Sequence, residues 1–345
     1  MAYEAKKIWD IERTPETDRH QQERMRKRGP GSPRGEMHTD LIRFRDYWYC
    51  SFKEELFPRS RIIRSKDGDT WKTVKLTQWQ GAYAAEPKLA VTADGNLMAN
   101  GNIQWGRMHR SDDEDKVQRQ HATWLSTDGL NWSGAHCCPS GINTIRYDLT
   151  WHNGMGYSFA YCGRDYTGTL YRTRDGKTWR KLATDLLPPE HRTCHEEVSL
   201  AFHPESGNAC ALARANPVCA LIGTAKAPCY TDWEWKPVKV DPGDGKLHAA
   251  ADVLGVQLGG PKIKYLSDGR LLAAGKADAS TATDNIGRND LFWMDPERGV
   301  LTRFAALDGY MMYPGIVEHE GMVWVSCGKR DIYEVYIVKV PLPSL

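Results

Sequence analysis

Side chains able to do acid–base and nucleophilic chemistry recur at corresponding points along this 345-residue chain. Carboxylates open successive apolar stretches at Asp40, Glu86, Asp148 and Glu196 with Glu197, and a phenol, Tyr313, opens the last one. Cations and amides close the stretches that follow: Lys53 beside Glu54, Asn100 and Asn102, Arg164, Arg214, Lys276, and Lys329 beside Arg330. Brought together in a concave site, two carboxylates can act as the acid and base of glycosidic cleavage. A tyrosine beside a carboxylate can be a nucleophile, because the neighbouring base removes its proton. Grouped cations can hold an acidic sugar by charge-assisted hydrogen bonds. The histidines offer a rival chemistry. His195, with Tyr313 and Arg214, could take the C5 proton of a uronate and stabilise the developing enolate, as a polysaccharide lyase requires. His152 and His248 are further candidates for the same pocket. No Cys/His/Asp spacing fits a metal site, and Gly243-Asp244-Gly245 reads as a turn rather than a phosphate loop. The expectation is therefore no metal and no cofactor.

The elements that must position these residues come from two repeats. A seven-residue pattern, S/T-x-D-G-x-T/N-W, occurs at Ser65–Trp71, Ser126–Trp132 and Thr173–Trp179. It is the chemistry of a hairpin turn: Asp accepts local backbone N–H groups, Gly takes positive φ, and Trp packs beneath. A degenerate copy lies at Gly223–Trp235, where Trp survives without Asp-Gly. The longer repeat begins at His38, Glu86, Tyr147, Glu196, Gly259 and Tyr313. Each unit runs apolar for about five residues, turns at Gly or a charged pair, and returns apolar, as paired strands do. Six such units predict an all-β, six-bladed β-propeller of four-stranded blades. Residues 1–37 form an N-terminal segment and residues 38–345 the propeller. Lys6–Glu12 is a candidate for the outer strand closing the last blade, and Asp112–Gln120 reads as a charged loop of the second. In a propeller the starts of the innermost strands and the ends of the second strands meet at one face around the axis. The turn between third and fourth strands, and with it the Asp-Gly turns, falls on the opposite face.

Composition narrows the partners. Lys plus Arg is 46 against 44 for Asp plus Glu, a net charge of +2 that argues against nucleic acid. No apolar run is long enough to cross a membrane as a helix. The 13 Trp and 15 Tyr against 7 Phe suit strands and the walls of a sugar site, so a carbohydrate is the expected partner. Nine Cys with no CxxC pair, and a charged N-terminus without an apolar signal core, predict reduced thiols in a cytoplasmic protein. The basic stretch Arg19–Gly35 suits a solvated loop; an anionic contact, or an arm to a second copy in a homo-oligomer, is the alternative.

The seven-residue pattern resembles the Asp box, or BNR repeat, of the sialidase superfamily of β-propellers. Segments such as TDLIRF, EPKLAVTADG, LGGPK, DGRLLAAGK and YPGIV are similar to a bacterial sialidase-like family over His38 to Val340. The resemblance implies that the Asp boxes are structural. It also implies three cations from the first, fourth and fifth blades, here Lys53, Arg214 and Lys276, and a Tyr–Glu nucleophile pair, here Tyr313 with Glu197. The acid/base carboxylate falls by location to Asp40 or Glu86, with Asp148 as a third in a conventional carboxylate arrangement. Glu196, His195 and Arg330 complete the expected substrate contacts. Only one of the three cations is Arg, and Lys cannot make the planar two-point contact a carboxylate prefers. The superfamily's Phe-Arg-Ile-Pro motif is not matched, although Phe57–Ile63 lies nearby. The expected function is an exo-acting glycoside hydrolase for a terminal, acidic or hydroxyl-rich sugar. A polysaccharide lyase, or a propeller that binds glycans or proteins without catalysis, is the alternative.

Overall fold

The computed structural model describes residues 3–10, 14–15, 17–19, 22, 38–54, 57, 59–79, 82–105, 118–140, 142–162, 167–191, 197–279, 286–307, 311–329 and 334–343. Six sheets follow one another along the chain, antiparallel except where Lys239–Asp241 pairs parallel with Val300–Leu307. Their innermost strands are Thr39–Phe44, Tyr83–Val91, Thr144–Arg146 continued by Thr150–His152, Val198–Phe202, Leu258–Tyr265 and Met311–His319. Each pairs outward with a second, third and fourth strand, which makes the six-bladed β-propeller that the long repeat predicts. In the sixth blade the outer strand is Ala5–Asp10, paired antiparallel with Glu334–Pro341, so the two ends of the chain close the ring. The fifth blade carries two extra outer strands, Lys239–Asp241 and His248–Ala249. Of the charged insert in the second blade, Gln118–Gln120 already belongs to the third strand, Gln118–Ser126, and the rest lies outside the described residues.

One register organises the six inner strands. Leu41, Leu89, Leu149, Leu200, Ile263 and Ile316 are all buried between blades. The residue before each faces the opposite way, because side chains alternate along a strand. Those residues are Asp40, Lys88, Asp148, Ser199, Lys262 and Gly315. They meet at the axis. Lys262 of the fifth blade lies 2.8 Å from Asp148 of the third and 3.3 Å from Asp40 of the first, contacts that alternate blades make only at the centre. Asp40 and Ser199 also accept the backbone N–H of Leu89 and Ile263 on the next blade, at 2.8 and 3.0 Å.

Gly315 is the sixth member of this ring. A Cβ there would lie 2.3 Å from the backbone N of Leu41, so only glycine lets the sixth blade seat against the first. Gly315→Ala is expected to cost about 1–3 kcal/mol or more, since the obstacle is backbone that cannot rotate away. A melting temperature equal to that of the parent chain would contradict this closure.

The three Asp-Gly turns join third to fourth strands and share their bonds. The leading Ser65, Ser126 or Thr173 accepts the glycine N–H at 2.8–2.9 Å. The Asp Oδ1 accepts the next two N–H groups at 2.7–2.8 Å. Trp71 and Trp179 return Nε1–H to the glycine carbonyl three residues back, at 3.0 and 3.3 Å. In the fourth blade the same bond is made by Trp233 to the Tyr230 carbonyl, 3.0 Å, with Tyr230 at φ +53° in the glycine position. The Trp of that degenerate turn is thus Trp233, while Trp235 donates to Leu186 instead.

Candidate active site at the propeller axis

Two residues upstream of the axial ring, about 7 Å along each strand, the repeat places His38, Glu86, Arg146, Glu197, Gly260 and Tyr313. Glu86, Gly260 and Tyr313 have φ of +57°, +59° and +51°, and each precedes a proline. Pairing to the second strand shifts register at all three points, as a bulge does. A left-handed conformation at a glutamate and a tyrosine is costly, and residues held that way concentrate at functional sites. Gly260 has a steric duty besides: a Cβ there would lie 2.4 Å from Tyr313 Cδ1.

Tyr313 donates its hydroxyl to Glu197 Oε1 at 3.1 Å. The other carboxylate oxygen, Oε2, accepts Gly260 N–H at 2.7 Å and faces Arg214 Nη1 at 3.5 Å. Arg214 is fixed in turn by Gln257, whose Oε1 takes Nε–H at 2.8 Å and Nη2–H as well. On the other flank His38 stacks on the Tyr313 ring, centroids 3.6 Å apart, with its Nδ1 3.8 Å from Glu86 Oε1. Glu86 Oε2 accepts from Asn102 at 3.3 Å, and Asn102 and Asn100 both meet His121. Burial first, and then the Arg146 charge, push the His121 pKa well below its ordinary value, so this ring is a neutral strut. A continuous chain therefore runs from Asn100 through Glu86 and Tyr313 to Gln257.

Tyr147 and Tyr161 pack with Tyr313 and Ile145 to line this level. Burial, reinforced for Tyr147 by Glu197 and Asp148 and for Tyr161 by Glu86 and Glu197, raises both phenol pKa values well above normal. Both remain protonated wall residues. Arg119, nearly buried, acts electrostatically on Tyr161. Lys53 and Lys276 are each 5% exposed at the ends of second strands; Lys53 N–H bonds the His38 carbonyl, and Lys276 pairs in register with Gly259 beside Gly260.

The structure separates the carboxylates that sequence position had grouped. Glu86 and Glu197 share a level with Tyr313; Asp40 and Asp148 belong to the ring below. Burial alone would raise the Asp148 pKa, but Lys262 and Lys88, with the Ser199 hydroxyl 2.5 Å away, hold it below its ordinary value. Lys262 is likewise opposed by burial, yet Asp148 and Asp40 raise its pKa. Lys88, fully buried against the Thr39 carbonyl at 3.1 Å, has its pKa lowered by burial. A carboxylate kept ionised by a buried lysine is a poor proton donor. Asp148, expected as an assisting third carboxylate, is held in that state, and a two-residue difference in register sets it and Asp40, expected as an acid/base, into the floor below Glu86. Glu54 is bound by Arg59 and Arg61 and is structural.

The histidines resolve differently. His152 stacks on Phe202 at 4.5 Å and His248 pairs with exposed Asp244 at 3.0 Å; neither takes part in the axial network, which corrects their placement near the pocket. His195, Glu196, Arg164 and Arg330 lie outside the described residues. Sequence reading missed His38, Tyr147, Tyr161, Arg119 and Gln257. His38 was within reach, since it stands to Asp40 as Glu86 stands to Lys88 and Tyr313 to Gly315. Tyr161 lies near the end of a second strand, Met155–Cys162, a position where the repeat predicts cations. Gln257 and Arg119 sit outside the repeat positions used.

Fold and axial site together define an architecture: a six-bladed β-propeller with a polar site at its axis. No family model matches the chain, and no curated protein matches it either. Among solved structures, the GH93 alpha-L-arabinofuranosidase of Fusarium graminearum, in complex with arabinobiose, aligns with TM-score 0.68 at 12% identity over 98% of each chain. A protein of unknown function from Dyadobacter fermentans aligns with TM-score 0.67 at 16% identity, covering 89% of this chain and 95% of that one. The NanB sialidase of Streptococcus pneumoniae aligns with TM-score 0.61 at 10% identity, covering 87% and 68%. At such identities the likeness concerns the fold.

Proposed function

We propose that the chain is an exo-acting glycoside hydrolase that works by double displacement at Tyr313. The observation that carries this reading is the 3.1 Å bond from the Tyr313 hydroxyl to Glu197, on a carboxylate already oriented by Gly260 and Arg214. Glu197 takes the phenol proton as the Tyr313 oxygen bonds to the anomeric carbon and the glycosidic C–O bond breaks. Glu86 protonates the departing oxygen. In the second half Glu86 takes a proton from water, whose oxygen displaces Tyr313, and Glu197 returns the proton to the phenolate. Two displacements give net retention. The charged ring of Asp40, Lys88, Asp148 and Lys262 floors the axis, and a floored pocket suits a chain end rather than a passing strand. Lys53 and Lys276 favour a substrate carrying a carboxylate, and Arg214 acts first on Glu197. That glycosidases share this fold adds support.

A second reading has Glu197 itself as nucleophile and Glu86 as acid. Glu197 on the Tyr313 hydroxyl, and Glu86 beside the His38 ring that stacks on Tyr313, support it. A panel of aryl glycosides, with sialic acid, uronic acids and neutral pentosides and hexoses side by side, tests the proposal. Turnover of an acidic member is expected. Turnover of a neutral member alone would retire the acidic-sugar assignment, and silence across the panel would retire the hydrolase.

A further inference from the structure

On the outer edge of the third blade, far from the axis, a cleft of about 520 Å³ opens beside the Asp-Gly turn that joins Thr169–Thr173 to Trp179–Ala183. Arg172, Arg174 and Arg180 all line it, with Thr178 and Asp175. Arg172 and Arg180 belong to neighbouring strands, and Arg174 lies in the turn just past the third strand. Arg172 and Arg174 are two residues apart, and Arg172 stands directly opposite Arg180 in the strand pairing. Like charges directly opposite each other oppose the pairing. Among the described residues, the side chains of these three make no ion pair or hydrogen bond; the single acid, Asp175, spends its Oδ1 on the N–H groups of Lys177 and Thr178, at 2.8 and 2.7 Å. Three positive charges against one, in a cleft of small-ligand size, make a site whose repulsion a bound anion relieves.

We infer that this cleft binds an oxyanion borne by a saccharide, a sulfate ester or a uronate carboxylate, as an accessory site remote from the axis. Planar guanidinium forks match such groups at two points. Arg172, Arg174 and Arg180 would grip the anion and Thr178 would sit beside it. The cleft presents no exposed aromatic ring on which a base could stack, which disfavours single-stranded nucleic acid. The choice of a saccharide over another carrier of the same group rests on the glycosidase reading; the anion site itself does not.

Calorimetric titration of the full chain at low salt, with inorganic sulfate, a sulfated disaccharide, its unsulfated parent and a short single-stranded oligonucleotide, tests the inference. The sulfated disaccharide is expected to bind and its parent not to. Affinity should fall as salt is added, and at least tenfold in the double variant Arg172→Gln/Arg180→Gln. Arg174→Gln alone should weaken binding less. Melting temperature should hold or rise in these variants, because like charges are removed, and turnover at the axis should be unchanged. Absence of binding by every probe, or equal binding by the double variant, would overturn the site. Tighter binding of the oligonucleotide through the same arginines would overturn the saccharide. Because glycoside turnover is read in the same samples, failure here is distinguishable from failure of the hydrolase assignment.

Discussion

Tyr313→Phe is expected to lower glycoside turnover by about 10³-fold or more while leaving the melting temperature close to that of the parent chain. The phenyl ring keeps its stacking on His38 and its seat against Gly260, so the change removes one oxygen and its bond to Glu197. What disappears is the only atom of that side chain able to bond to the anomeric carbon. Glu197→Gln should act in the same direction by about 10²–10⁴-fold, because an amide cannot take the phenol proton. If the two residues act as one nucleophilic unit, the double variant should be little worse than either single one. Full turnover in Tyr313→Phe with loss in Glu197→Gln would move the nucleophile to Glu197. Full turnover in both would remove the axial site from the reaction.

The second large effect concerns stability. Lys262→Met is expected to destabilise the fold by about 3–5 kcal/mol, the usual consequence of leaving buried charge uncompensated. Asp40 and Asp148 are 1% and 2% exposed and both face the Lys262 ammonium. Methionine keeps the length of the side chain and removes the ammonium that bridges the two carboxylates across the axis. Adding Asp40→Asn, Asp148→Asn and Lys88→Met should recover most of the loss, since removing every partner of a buried ionic cluster is often neutral. Unchanged stability in Lys262→Met would show that the ring is not what floors the pocket. The same cluster sets an acid limit. The Asp148 pKa is lowered in the folded chain, so its contribution is complete above the unfolded value near 3.8 and is lost as pH falls through the lower folded value. Asp148→Asn should flatten that acid loss; an unaltered acid melting curve would contradict the assignment.

Fold class was legible because both repeats express backbone requirements. An Asp-Gly turn needs a short acceptor and positive φ, and an inner strand needs a polar residue before a branched apolar one. The site was half legible. Tyr313 and Glu197 stood at strand starts and do meet, 116 residues apart in sequence. Depth along the axis was not legible from strand starts alone. Asp40 and Glu86 both open an inner strand, yet bulges before Pro87, Pro261 and Pro314 shift the pairing by a residue or more and raise Glu86 and Tyr313 to the pocket. Aligning the units on Leu41, Leu89, Leu149, Leu200, Ile263 and Ile316 restores the levels and exposes His38. Gln257 had no such signal. It reaches Arg214 from a segment between blades, and only the folded chain brings them together.

The central claim is that Tyr313 becomes covalently bonded to the sugar, and trapping that intermediate tests it most directly. A glycoside that the chain turns over would be supplied as its slowly hydrolysed fluorinated analogue, and the protein digested and sequenced by mass spectrometry. One added glycosyl group is expected, on the peptide containing Tyr313 and at that residue, absent from Tyr313→Phe. A glycosyl group on Glu197 or Glu86, with Tyr313 unmodified, would contradict it.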